Sequence, residues 1–137
     1  MDAMAIAADD KAAVAPARGG LDPLELLAAG RIALAVASLT VPRHFAKALG
    51  VTPSPELTYM TRIYGGRALA MGVGYLTGGA AERRKWRQLS LFVDSSDTLA
   101  GAVRVARRDL PLRAGLAMTI LTGSYAAVGA YRIARER

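Results

Sequence analysis

The chain contains no cysteine, which excludes disulfides, thiolate zinc sites, iron–sulfur ligation and cysteine nucleophiles together and leaves the redox compartment unreadable. A dense basic block is missing too. The net charge of +7 comes from fifteen arginines and three lysines spread along all 137 residues, not from the concentrated arm that binds nucleic acid, so no nucleic-acid partner is expected. The first twenty residues lack the basic start and long apolar core of a secretory signal. Asp2, Asp9, Asp10, Lys11 and Arg18 stand there among alanines, and the apolar run covers only residues 3–8, which reads as a loose tail ending at Gly19-Gly20. Asparagine is absent as well, and arginine and alanine are abundant, a composition suggesting a GC-rich bacterial genome. The length suits one domain, not two.

What is present is a series of four long apolar segments separated by helix punctuation. Asp22 before Pro23 is an N-cap followed by a first-turn proline, opening a helix over about 23–48 that Pro42 or Gly50 closes. Ser54-Pro55 repeats the signal for a second helix over 55–77, ended by Gly78-Gly79, and a third spans about 82–108. Asp109-Leu110-Pro111 then opens a fourth over 111–132, which includes eighteen consecutive uncharged residues at 114–131. The expected fold is therefore all-α: a four-transmembrane-helix antiparallel bundle over residues 21–137, with a disordered N-terminal tail over 1–20.

A soluble bundle could use helices of the same length. Two features favour the bilayer: the fourth segment has no polar face, and aromatic residues fall near segment ends, with Tyr75, Trp86 and Tyr131 at one interface and Phe45 and Tyr59 at the other. Basic residues outside the helix middles number nine on the side of both termini (Lys11, Arg18, Arg83, Arg84, Lys85, Arg87, Arg132, Arg135, Arg137) and six opposite (Arg43, Lys47, Arg104, Arg107, Arg108, Arg113). The positive-inside rule then places both termini in the cytoplasm, in a bacterial inner membrane.

Charged side chains at mid-membrane depth cost about 2.5 to 3.5 kcal/mol each, so they face the bundle interior and find partners. The candidates are Arg31, Arg62, Arg67, Asp94 and Asp97. Counting outward from the turn at 78–81 puts Arg62 level with Asp97, and Arg67 about 3 Å from the level of Asp94, which predicts those two pairs, with Arg31 near the second. Asp94 and Asp97 lie three apart on one helix face. Ser95 and Ser96 invite a nucleophile reading with His44 as base, but His44 belongs near the opposite interface, on the order of 10 Å away along the bilayer normal. The aspartate pair lacks the additional carboxylates of a magnesium site. No catalytic residue, metal or cofactor is expected.

Small residues suggest close helix packing. Gly115, Thr119, Gly123 and Ala127 form a ridge on the fourth helix, Ala29, Ala33 and Ala37 another on the first, and Gly65, Gly66, Gly72 and Gly74 let the second approach its neighbours. The glycine spacing has no strand before it, so it is not a dinucleotide fingerprint. The loop Arg83-Arg84-Lys85-Trp86-Arg87 reads as attraction to anionic headgroups.

The stretch Arg62-Ile-Tyr-Gly-Gly-Arg67-Ala-Leu-Ala-Met-Gly72, followed by Val93-Asp94-Ser-Ser-Asp97, resembles a family of small uncharacterised four-helix membrane proteins with an Arg-x2-Gly-x-Arg-x4-Gly pattern on the second helix and an aspartate pair on the third. The likeness covers about residues 25–132 and brings no activity with it. In size and helix count the chain also distantly resembles the DoxX-type membrane proteins. The functional expectation is an accessory or assembly component of a membrane complex, with the lipid bilayer and either a homo-oligomer or a larger assembly as partners. Two alternatives stand beside it: a binding or transport module in which the arginines hold an anionic small molecule, a lipid headgroup or a proton, and a membrane enzyme using Asp94 or Asp97.

Overall fold

In the computed structural model, residues 20 and 22–136 are described; apart from Gly20, the expected tail lies outside them. Among the described residues the chain is all-helical, with α1 at Pro23–Thr40, α2 at Pro42–Ala48, α3 at Pro55–Thr77, α4 at Ala80–Arg107 and α5 at Leu112–Arg135.

Local chemistry sets most of these boundaries. The Asp22 carboxylate accepts from the Leu24 amide at 3.3 Å and Pro23 occupies the first turn of α1, while Ser54 Oγ accepts from Leu57 N at 3.1 Å and Pro55 opens α3. The single helix expected over 23–48 is broken in two. Pro42 has no amide to continue the ladder and its ring crowds the preceding turn, so Val41 leaves the helical region at φ −129°, ψ 50° and a separate seven-residue helix follows. The cap expected at Asp109 also fails: Pro111 takes the N-cap position of α5, and Asp109 instead accepts from Arg104 in the last turn of α4 at 2.8 Å.

The four long helices form an antiparallel bundle in the ring order α1, α3, α4, α5, with α1 against α3 and α4 against α5 as the intimate pairs. Glycine makes the first pairing close. A Cβ at Gly65 would stand 3.0 Å from Ser38 Cβ and 3.1 Å from the Ala35 carbonyl oxygen, and one at Gly72 would stand 2.6 Å from Ile32 Cγ1. Seven residues bring α3 back to nearly the same azimuth, so Gly65 and Gly72 share one stripe. Gly66, expected to pack, is about 100° away and meets nothing within 4 Å. On α1 the packed residues are Ala28, Ala35 and Ser38, whereas Ala29 and Ala33 face outward. The α5 ridge does meet α4: Gly115 faces Val105, Thr119 faces Gly101 and Gly123 faces Thr98.

The interior is built from small side chains. Of the eight buried hydrophobic residues among those described, five are alanine, and the others are Leu24, Met71 and Tyr75. The large apolar side chains point out instead, with Phe92 74%, Leu99 68% and Ile120 64% exposed, joined by Leu26, Ile63, Leu89 and Leu116. A water-soluble domain of this size would gain about 1.5 to 3 kcal/mol for each such residue it buried, so this distribution runs against burial of apolar surface from water.

One helix among the described residues, Pro23–Thr40, is long and apolar enough to cross a membrane by length and composition. The fourth segment, expected to be the clearest candidate, does not qualify because threonine, serine and glycine at 115, 119, 122, 123, 124 and 129 dilute its apolar residues. Arg62 and Arg67 on α3 and Asp94 and Asp97 on α4 dilute those helices similarly. The proposed aromatic belt is also partly turned inward: Tyr75 is buried, and Trp86 packs on the Leu24, Ala28 and Tyr75 cluster, filling the space above Gly74.

The two ends of the bundle differ. At the end of the termini, Arg132 binds Asp22 at 2.5 Å, Arg83 binds Glu25 at 3.2 Å, and Arg87 pairs with Glu136. Arg83 also donates to the Gly78 and Leu76 carbonyls at 3.0 and 3.2 Å, capping α3. Two of the loop arginines expected to meet headgroups are thus engaged inside the fold, leaving Arg84 and Lys85 exposed.

Candidate functional site

The charged residues singled out on α1, α3 and α4 sort into a buried pair, a half-exposed pair and an outlier. Arg31, near the middle of α1, sends its guanidinium across to α4 and binds Asp94 in a two-pronged contact, Nη1 to Oδ1 at 3.0 Å and Nη2 to Oδ2 at 2.6 Å. The side chains are only 12% and 5% exposed. Such fork-to-fork geometry is the strongest form of a charge-assisted hydrogen bond and fixes the relative rotation of two helices. Arg67 on α3 binds Asp97 at 2.5 Å, with side chains 43% and 29% exposed.

Both predicted pairs are therefore replaced. Arg67 goes to Asp97 instead of Asp94, and Arg62 does not join Asp97. The reason is azimuth. Five residues separate Arg62 from Arg67, about 140° around α3, so the helix that aims Arg67 at α4 aims Arg62 away from it. Arg62 is exposed and lines an open recess of about 370 Å³ with Thr40, Arg43, His44 and Thr58. The fold brings Arg31, Arg67, Asp94 and Asp97 together and leaves Arg62 with the residues around the α1–α2 break.

Aromatic and hydroxyl side chains that the sequence reading passed over complete the cluster. Tyr125 on α5 lies with its ring 4.5 Å below the Arg31 guanidinium carbon, and its hydroxyl donates to the Leu27 carbonyl at 3.1 Å. Gly30 makes room for that hydroxyl, since a Cβ there would sit 3.1 Å from Tyr125 Oη. The arginine is thus clamped between a carboxylate from α4 and a ring face from α5. Tyr64 plays a looser version of the same part for Arg67, at 5.8 Å. Thr98, one turn beyond Asp94, donates to the Asp94 carbonyl at 2.6 Å, and its hydroxyl lies 2.9 Å from that of buried Thr122 on α5. Only a tyrosine inside an otherwise smooth segment could have pointed to Tyr125.

The space around the cluster is small. About 10 Å³ is enclosed beside Arg67 and Asp97, and about 40 Å³ between Arg31 and Tyr75; these hold a water or two, well short of the ~300 Å³ of a ligand pocket. Ser95 and Ser96 are exposed on the outer side of α4, away from buried Asp94. Among the described residues no three histidine, aspartate or glutamate side chains gather as metal ligands.

No protein-family model, no curated protein and no solved structure matches this chain.

Proposed function

We propose that this chain is a small integral membrane protein of four membrane-crossing helices, acting as an accessory or assembly component of a membrane complex and not as an enzyme. The observation that carries this is the inverted distribution of side chains: a bidentate Arg31–Asp94 pair among alanine, glycine, serine and threonine inside, with Phe92, Leu99 and Ile120 outside. Lipid tails are as apolar as leucine, so in a bilayer the apolar side chains gain nothing by turning inward; small residues that allow backbone approach and polar groups that bind across helices hold the bundle together. The same arrangement in water would leave a large apolar surface uncovered.

The charged cluster in this reading sets register and rotation. Asp94 is held through both oxygens by Arg31 and Asp97 through one by Arg67, so an acid–base role for Asp94 would first require breaking an ion pair. The water-sized spaces beside them favour a structural clamp over an anion site. The likeness to small four-helix membrane proteins belongs to the same reading, as do the bacterial inner membrane and cytoplasmic termini.

Alkaline carbonate washing of membranes from cells expressing the full chain tests the membrane assignment: retention in the pellet is expected, and release into the supernatant overturns it. Purification in mild detergent tests the accessory role. A larger complex or an oligomer is expected, and a strictly monomeric protein with turnover of its own refutes it. A reporter fused to the C-terminus reads its side.

A further inference from the structure

The end of the bundle opposite the termini is held differently from the stitched end. There α2 packs against α1 and α3, and a cavity of about 330 Å³ lies between it, α3 and the α4–α5 pair. Its walls are almost wholly apolar, with Phe45 from α2, Leu49 just past its end, Met60 from α3, Leu110 from the α4–α5 loop and Met118 from α5. It reaches inward to Tyr64, nine residues into α3, a depth of about 13 Å at helical rise. The volume falls within the range of ~300 to 1,000 Å³ typical of small-molecule sites, and the apolar lining suits a hydrocarbon chain.

The mouth is cationic. Arg113 precedes cavity-lining Ala114, and its Cδ lies 3.9 Å from where a Gly50 Cβ would be, between lining residues Leu49 and Val51. Lys47 is exposed on the last turn of α2. The acidic groups at this end are Glu56 and Asp109, and Asp109 is bound by Arg104 at 2.8 Å. Arg43, Arg107 and Arg108 add further exposed positive charge.

From these two features we infer that the cavity is a binding site for one acyl chain of an anionic amphiphile, the chain running inward toward Tyr64 and the head held at the interface by Arg113 and Lys47. A fatty acid and an anionic phospholipid share this chemistry. The inference rests on the membrane reading above, since the mouth must lie at headgroup depth. The site adjoins the charged cluster at Tyr64, whose ring lies under Arg67, and would let a lipid brace the end of the bundle opposite the termini.

The test is native mass spectrometry of the full chain from mild detergent, titrated with palmitate, phosphatidylglycerol or phosphatidylcholine. One-to-one adducts with palmitate or phosphatidylglycerol are expected, and whichever of the two binds more tightly identifies the source. Met118→Trp fills the cavity and should weaken binding about tenfold or more. Thr61→Phe fills it from α3 and serves if the first variant does not fold. Arg113→Glu should weaken anionic adducts by about fivefold or more, the effect of a charge or two at a membrane surface, and leave phosphatidylcholine unaffected. No adduct, adducts unchanged in folded filled variants, or equal binding of neutral and anionic lipids overturns the proposal, as does a dimer that Met118→Trp abolishes, which would assign the cavity to a second copy. A protein retained by carbonate-washed membranes that binds no acyl chain refutes this site alone; release by the wash refutes the membrane reading instead.

Discussion

Removing one member of the Arg31–Asp94 pair should cost far more than removing both. Asp94→Leu strands a guanidinium that cannot lose its charge, inside a site where the arginine side chain is 12% exposed and its remaining partner is the Tyr125 ring. Breaking a buried pair in this way costs about 3 to 5 kcal/mol, of which a cation–π contact recovers only ~0.5 to 2. Arg31→Met should also destabilise, because it leaves Asp94 without its partner at a site where its side chain is only 5% exposed. The double variant Arg31→Met/Asp94→Leu replaces the pair by apolar groups of similar length and should lie within about 1 kcal/mol of the natural protein, or above it. The coupling between the two sites is then about 2 kcal/mol or more, measured by reversible unfolding in mixed micelles with helicity as the readout. If Asp94→Leu loses less than about 1 kcal/mol, or the double variant is no more stable than Asp94→Leu alone, the pair is not a buried clamp and the reasoning fails.

Three further outcomes follow from the same packing. Gly65→Ala, whose Cβ meets Ala35 O at 3.1 Å and Leu39 Cγ at 2.9 Å, should destabilise by about 1 to 3 kcal/mol, whereas Gly66→Ala, facing open space, should be neutral or stabilise by up to ~1 kcal/mol in the same unfolding assay. Ser38 is fully buried with no hydrogen-bond partner for its hydroxyl among the described residues, so Ser38→Ala should raise stability by up to about 1 to 3 kcal/mol, and a loss would mean that the hydroxyl has a partner. Asp97→Asn should destabilise by about 2.5 to 3.5 kcal/mol, because it leaves the Arg67 charge, 43% exposed at mid-height of the bundle, without its counter-ion, and a loss under about 1 kcal/mol would mean that this pair meets water and not lipid.

The helix starts at Asp22-Pro23 and Ser54-Pro55 were legible because a capping side chain and a first-turn proline act within three residues of each other, without reference to the rest of the fold. The signal at Asp109-Pro111 misled because a competing partner, Arg104, sits on the preceding helix, where a local rule does not look. Pro42 and Gly50 both stood as possible ends of the first helix; the break falls at Pro42, and the short α2 fills the interval before Gly50. The stripes of small residues were read as facing inward in general. Which glycine faces a neighbour depends on helix rotation, and that single angle separates packed Gly65 from open Gly66.

The same angle explains the cluster. Counting residues from a turn gives only depth along the bundle axis, and depth alone put Arg62 beside Asp97 and Arg67 beside Asp94, whereas the pairs are Arg31–Asp94 and Arg67–Asp97. Depth cannot say which neighbour a side chain faces. Asp94 and Asp97 are about 60° apart around α4, enough to send the first to Arg31 of α1 and the second to Arg67 of α3. One acidic helix thus binds two basic ones through adjacent positions. Because Arg31 also rests on Tyr125, all four long helices meet at one level: α1 and α4 through the buried pair, α3 through the half-exposed pair and α5 through the ring. Among the described residues the interhelical ion pairs lie at mid-height and at the end of the termini, whereas the opposite end has only Arg104–Asp109, between α4 and the loop that follows it. That is where the apolar cavity opens.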